Sequence, residues 1–136
     1  MASMIFLISG KRKTAVAKVH IKPGTGIITF NRLPYTELNL FHKLALAEPL
    51  RIYNKELGGE LKHDFHITSV GGGKESQIEA ARVALARSLL KITGSETLRK
   101  AFINYDRNLV VEDFRRKETR KPGDSKARAK RQKSYR

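Results

Sequence analysis

The chain has 136 residues, with 28 Lys or Arg against 13 Asp or Glu and a net charge of +15. That is length for one modest core, under a charge whose self-repulsion a polyanion relieves, nucleic acid first and anionic membrane next. No cysteine is present, which excludes disulfides and thiolate metal sites and points to an intracellular setting. The early apolar run Ile5 to Ile8 is too short for a signal-peptide core or a membrane span, so the chain reads as soluble.

In chain order, Gly10-Lys11-Arg12-Lys13-Thr14 comes first. It is not a phosphate loop, because Ile5 stands where that motif needs Gly and Arg12 where it needs Ser or Thr. What remains is the basic start of a strand or a nonspecific phosphate contact, and the charge favours the contact. Ala15, Ala17, Val19 and Ile21 alternate with Val16, Lys18, His20 and Lys22, the period of a strand with one face on a core. Pro23 to Gly26 turns the chain and Ile27 to Phe30 resumes it, which predicts a hairpin ended by Asn31-Arg32-Leu33-Pro34. Thr36 is then a helix cap ahead of Leu38, Phe41, Leu44 and Ala45 at helical spacing, with Pro49 placed to break that helix or open a new turn.

Lys55 to Lys62 reads as a polar loop and His63 to Val70 as a strand bounded by Gly71-Gly72-Gly73. Ile78, Ala81, Leu85, Leu89 and Ile92 form the clearest helical stripe, with Gly94 where a C-terminal cap belongs. Ser95 restarts a shorter helix through about Asn104, and Leu109 to Val111 suggest a last short strand. From Phe114 onward no periodicity remains. The pattern predicts a mixed α/β domain over residues 1–113 and a basic extension over 114–136.

Catalytic chemistry has no positive signal. His63 and His66 are three apart on a strand, an odd separation that sends them to opposite faces and argues against a shared metal. Ser, His and Asp are all present, but no nucleophile-elbow pattern supports a triad. The triglycine before the long helix either lets backbone amides approach a phosphate or meets a demand for unusual backbone angles, and taken alone the structural reading is favoured. The strongest feature is the end of the chain. Residues 114–136 carry eleven basic and two acidic residues, and from Ser125 onward no apolar side chain is larger than Ala except Tyr135. Such a segment cannot order itself. Tyr135 beside Arg136 offers a stacking surface next to a bidentate phosphate binder, whereas lipid insertion needs apolar residues at helical spacing that are missing, so nucleic acid is favoured over membrane.

Gly10-Lys11-Arg12-Lys13-Thr14-Ala15, Gly71-Gly72-Gly73, the stretch EAARVALARSLL from Glu79 to Leu90, Tyr105-Asp106-Arg107, Arg115-Arg116 and the closing RAKRQKSYR together resemble the universal small-subunit ribosomal protein S-nine family. The resemblance runs in order over nearly the whole chain, and the ending Gln132-Lys133-Ser134-Tyr135-Arg136 is similar to the archaeal and eukaryotic branch. Two features depart from the family pattern: Asn31-Arg32 stands where Asn-Gly is common, and Lys117 to Lys126 is shorter than in many relatives.

The resemblance implies an α/β fold of two layers (α+β): a four-stranded sheet with helices packed against it, a left-handed βαβ crossover and a long basic C-terminal extension. It implies a structural protein of the small-subunit head in the cytoplasmic ribosome, not an enzyme, with no cofactor and no small-molecule substrate. Its partners are then small-subunit ribosomal RNA, P-site tRNA and neighbouring ribosomal proteins, without a membrane. The residues implied for ribosomal RNA are Lys11, Arg12, Lys13, Gly71, Gly72, Gly73, Arg107, Arg115, Arg116, Lys126, Arg128, Lys130 and Arg131. Those implied for tRNA are Lys133, Ser134, Tyr135 and Arg136. A DNA-compacting protein would explain the charge but not the ordered motif set, and a phosphoryl-transfer enzyme would lack both phosphate loop and base.

Overall fold

The computed structural model describes residues 6–123, 126–128 and 134–136. Five strands, β1 (Phe6–Arg12), β2 (Ala15–Pro23), β3 (Ile28–Phe30), β4 (Leu33–Pro34) and β5 (His63–Val70), form one sheet in the order β1-β2-β5-β3-β4. Helix α1 (Leu40–Glu56) connects β4 to β5, and α2 (Lys74–Thr93) and α3 (Glu96–Tyr105) follow β5. Burial in β2 falls on Ala15, Ala17, Val19 and Ile21, and in β5 on Phe65, Ile67 and Ser69, so one face of the sheet is covered and the other is not. The expected two-layer α/β architecture is therefore present, with five strands rather than four; β1 and the two-residue β4 are strands that the sequence reading does not include.

The strand period of Ala15 to Ile21 and the bounds His63 to Val70 agree with the sequence reading. The hairpin does not. β2 pairs antiparallel with β1 and with β5, while β3 pairs parallel with β5. The tight turn belongs on the other side of β2, at Lys13-Thr14, where Lys13 takes a φ of 53°. The stretch after Pro23 instead crosses the start of β5: Asp64 Oδ1 accepts the backbone N–H groups of Thr25, Gly26 and Ile27 at 2.9, 3.0 and 2.9 Å. The two-residue turn lies between β3 and β4, with Asn31 at φ 47° and Arg32 at φ 72°. Arg32 thus holds a conformation in which Gly costs less, as in a type I′ turn.

Thr36 does not cap α1; it lies in a 3-10 turn, Tyr35–Glu37, and Asn39 precedes the helix. Pro49 neither breaks α1 nor opens a turn. It sits inside the helix with its ring buried, beside Leu46, Leu50 and Tyr53 on the same covered face. Because α1 packs on α2 and α3 along that face, the predicted stripe is displaced, and Phe41 is left 75% exposed. α2 matches its predicted stripe and ends at Gly94 with φ 59°, and Ser95 caps α3 by accepting the Leu98 N–H at 3.4 Å. Leu109 to Val111 form no strand: Asp106 accepts the Asn108 N–H and winds Arg107–Leu109 into a 3-10 turn. Beyond Asp113 the described residues carry no helix or strand.

α2 lies close on the sheet because its inner face is small: Ala80, Ala81, Ala84 and Ala86 are fully buried. One close approach is at Gly10 of β1, where an added Cβ would stand 2.5 Å from the Ala80 carbonyl oxygen and 2.6 Å from the Ala84 nitrogen. Gly10 lies next to Lys11 to Lys13, so this packing sits beside the basic turn.

Candidate nucleic-acid interface

The β1–β2 turn, the triglycine loop and the root of the C-terminal extension meet at one end of the domain. Gly71 has a φ of 80° and a Cβ there would lie 2.7 Å from the Thr14 carbonyl oxygen; at Gly72, φ 62°, it would lie 3.1 Å from the Ala15 Cβ. Positive φ disfavours a side chain at both positions, and at Gly71 the close carbonyl adds a steric obstacle, which supports the structural reading of that pair. Gly73 differs: it precedes α2 with a φ of −96°, and an added Cβ would meet nothing within 4 Å.

The extension is tied to β1 by an ion network. Arg12 donates from Nε to Glu79 at 2.6 Å and from a terminal nitrogen to Asp113 at 2.6 Å. Its side chain is only 18% exposed. Asp113 also accepts the Arg115 backbone N–H at 2.9 Å and a guanidinium N–H of the same residue at 2.8 Å. A single parallel bridge joins Arg12 to Asp113. Next to this, Arg87 donates to the Ser9 carbonyl at 3.0 Å and to Glu112 at 2.8 Å.

These contacts set the electrostatics. Hydrogen bonds from Arg115, side chain first and backbone second, with the positive charges of Arg115 and Arg12 behind them, hold the Asp113 carboxyl down at about 2. The same pairing raises the Arg115 guanidinium above its ordinary value. Backbone N–H donors, that of Ile27 foremost, lower the Asp64 carboxyl.

The predicted site residues therefore divide. Arg12 is committed to two carboxylates and largely covered, an anchor more than an outward cation. Arg115 touches Asp113 yet keeps its side chain 77% exposed. Lys11, Lys13, Arg107, Arg116, Lys126 and Arg128 are exposed. Arg128 pairs with Glu118 at 2.9 Å, a surface pair of small energetic weight. Ser134, Tyr135 and Arg136 are exposed as well; Lys130, Arg131 and Lys133 lie outside the described residues. The anchoring roles of Glu79, Glu112 and Asp113 are not part of the sequence reading; for Glu112 and Asp113, scarce acids directly before the basic extension are the available signal.

His63 and His66 occupy opposite faces of β5, and His66 Nδ1 lies 2.9 Å from Thr29 Oγ1. Among the described residues no three His, Asp or Glu side chains are grouped to hold a metal, and no helix is long and apolar enough to cross a membrane. What the arrangement offers is positive charge on a rigid end and a basic arm leaving from it.

The model of a protein family described as ribosomal protein S9/S16 matches residues 10–136. Among similar curated proteins, a small ribosomal subunit protein uS9 from Halobacterium salinarum is 40% identical over 98% of this chain and its own full length. One from Methanothrix thermoacetophila is 40% identical over 94% of this chain and 96% of its own. One from Thermoplasma volcanium is 42% identical over 96% and 97%.

Proposed function

Because the chain belongs to the ribosomal protein S9/S16 family, we propose that it is a structural component of the small ribosomal subunit, working in the ribosome in the cytoplasm. Its folded part, residues 1–113, binds the subunit's RNA, and its extension, 114–136, runs through that RNA until its last residues reach the anticodon stem-loop of the P-site tRNA. Neighbouring ribosomal proteins of the head are its other partners, and it catalyses no reaction. The left-handed sense of the β3–α1–β5 crossover belongs to the same reading. The observation that carries it is a family match spanning residues 10–136.

Lys11, Lys13, Arg107, Arg115 and Arg116 then meet ribosomal RNA from the domain and the root of the arm. Lys126, Arg128, Lys130 and Arg131 meet it along the arm, and Lys133, Ser134, Tyr135 and Arg136 meet the tRNA. Arginine suits the last place because its planar fork of donors matches phosphate oxygens. Arg12 contributes by holding Asp113 and so aiming the arm.

Co-sedimentation with small subunits through a high-salt gradient tests the ribosomal assignment; release into the free fraction at salt that leaves the subunit intact would refute it. The tRNA contact is tested separately by deleting Arg136. Incorporation should stay nearly intact, while P-site tRNA dissociates about 5- to 30-fold faster, as for loss of about 1–2 kcal/mol in one charged hydrogen bond. Equal off-rates at equal protein occupancy would remove the tRNA contact alone.

A further inference from the structure

The face of the sheet opposite the helices carries a charge pattern of its own. Among the described residues only one carboxylate, Asp64, lies in a strand, and its Oδ1 is occupied by three backbone N–H groups. On the same face Lys18 and Lys22 of β2 are exposed, and Lys11 of β1 is exposed beside them. Lys18 stands between Ser9 on β1 and Thr68 on β5, so neither cross-strand neighbour can neutralise it, whereas Lys22 stands across from Asp64. Among the described residues none of these three lysines is in a salt bridge.

Apolar surface lies within the cationic row. Val16 and Val70 are register partners on this face, and Val70 is 70% exposed. With Thr14, Lys18, Thr68 and Gly71 they line a shallow depression of about 500 Å³, room for a flat heterocycle. Strand geometry puts Lys18 and Lys22 about 13 Å apart along β2, and Lys11 sits directly across from Val16. Cations thus flank an apolar seat on both sides.

We infer that this uncovered sheet face is a second RNA-docking surface, on which Lys11, Lys18 and Lys22 take backbone phosphates and one unstacked base rests on Val16 and Val70. The proposal rests on the RNA-binding reading above and adds a face and two cations, Lys18 and Lys22, that the motif residues do not include. Charge complementarity selects the occupant. Lysine is depleted from the cores of protein–protein interfaces, whereas a polyanion gains from each ammonium it meets by releasing condensed counterions. The single small apolar seat suits one base held between phosphates.

The test uses the full-length protein and whole small-subunit ribosomal RNA, with an unrelated RNA of equal length as control, over a series of salt concentrations. Lys18→Gln/Lys22→Gln is compared with Lys91→Gln/Lys100→Gln, two exposed cations of the helical layer, after equal thermal midpoints show both variants folded. The sheet pair should flatten the slope of log affinity against log salt by about 1.5, two contacts at roughly 0.7 to 0.9 each, and the helix pair should not. Val70→Glu should weaken binding at least tenfold at fixed salt. Equal slopes for the two pairs overturn the proposal. So does an unchanged RNA slope combined with loss of the sheet variant from reconstituted subunits, which assigns the face to a neighbouring protein. Wild-type protein that fails to prefer small-subunit RNA over the control refutes the parent reading instead.

Discussion

Gly10 opens the basic stretch that looks most like a ligand loop, yet its surroundings assign it a packing role, and Gly10→Ala separates the two. The new Cβ would lie 2.5 Å from the Ala80 carbonyl oxygen, 2.6 Å from the Ala84 nitrogen and 3.0 Å from the Ala84 Cβ. The first two are backbone atoms of α2, which cannot rotate away, so β1 must withdraw by nearly 1 Å or α2 must shift across a core of fully buried alanines. Overpacking of this kind costs about 1–3 kcal/mol. For a domain of this size that is a fall in thermal midpoint of roughly 3–15 °C. The assay is thermal unfolding by circular dichroism of the wild type, Gly10→Ala and Gly10→Ala/Ala84→Gly. The double variant should recover nothing, because it removes a methyl and leaves both backbone contacts while adding a helical glycine that costs about 1 kcal/mol. A Gly10→Ala midpoint within 1 °C of wild type, or full recovery in the double variant, would refute the reasoning. The first would mean the helix yields freely; the second would mean the obstacle was only the Ala84 side chain.

The triglycine should behave unequally: Gly71→Ala, at φ 80° and 2.7 Å from the Thr14 carbonyl oxygen, lowers the thermal midpoint, whereas Gly73→Ala, with open space around it, leaves it nearly unchanged. Equal effects would show that the loop rearranges as a unit. Asp113, held at about 2 against an ordinary 3.8, adds stability that is fully present above about pH 4 and is lost as pH falls through 2. Wild type and Asp113→Asn should therefore differ in thermal midpoint at pH 6 and converge near pH 2, and a constant difference across that range would exclude the ion network as its source. Removing residues 126–136 should reduce the salt dependence of RNA binding by several units of slope, at roughly 0.7 to 0.9 per lost phosphate contact; an unchanged slope would mean the arm neutralises no phosphate.

Legibility followed the range of the forces involved. α2 was readable because its stripe is long and its stop at Gly94 is a local conformational requirement. β5 was readable because a run of eight residues is bounded by glycines. Pro23 to Gly26 has the composition of a chain reversal between neighbouring strands, but the residue that shapes this stretch is Asp64, 37 to 39 positions away. β1 was missed as a strand for a similar reason: its burial depends on α2 covering Gly10, a contact 70 or more residues distant. For α1, spacing revealed a helix but not its inward face, which α2 and α3 decide.

The same distinction runs through the basic residues. A count of charges makes Arg12, Lys13 and Arg115 alike, and only the fold shows that Arg12 is consumed by Glu79 and Asp113 while Lys13 stays exposed on a tight turn. A chain this cationic must hold its own segments together before it meets a partner, and it does so by placing scarce carboxylates where the arm departs. Asp113 and Glu112 fix residues 112–115 to β1 and α2, so the direction in which the arm leaves belongs to the folded protein before any RNA is present. Residues fixed in this way need no partner to fix them. The conformational entropy lost on assembly falls with each residue fixed in advance, at about 1–2 kcal/mol of backbone entropy per residue. The acidic residues, few as they are, thus fix the root of the basic extension to the folded domain.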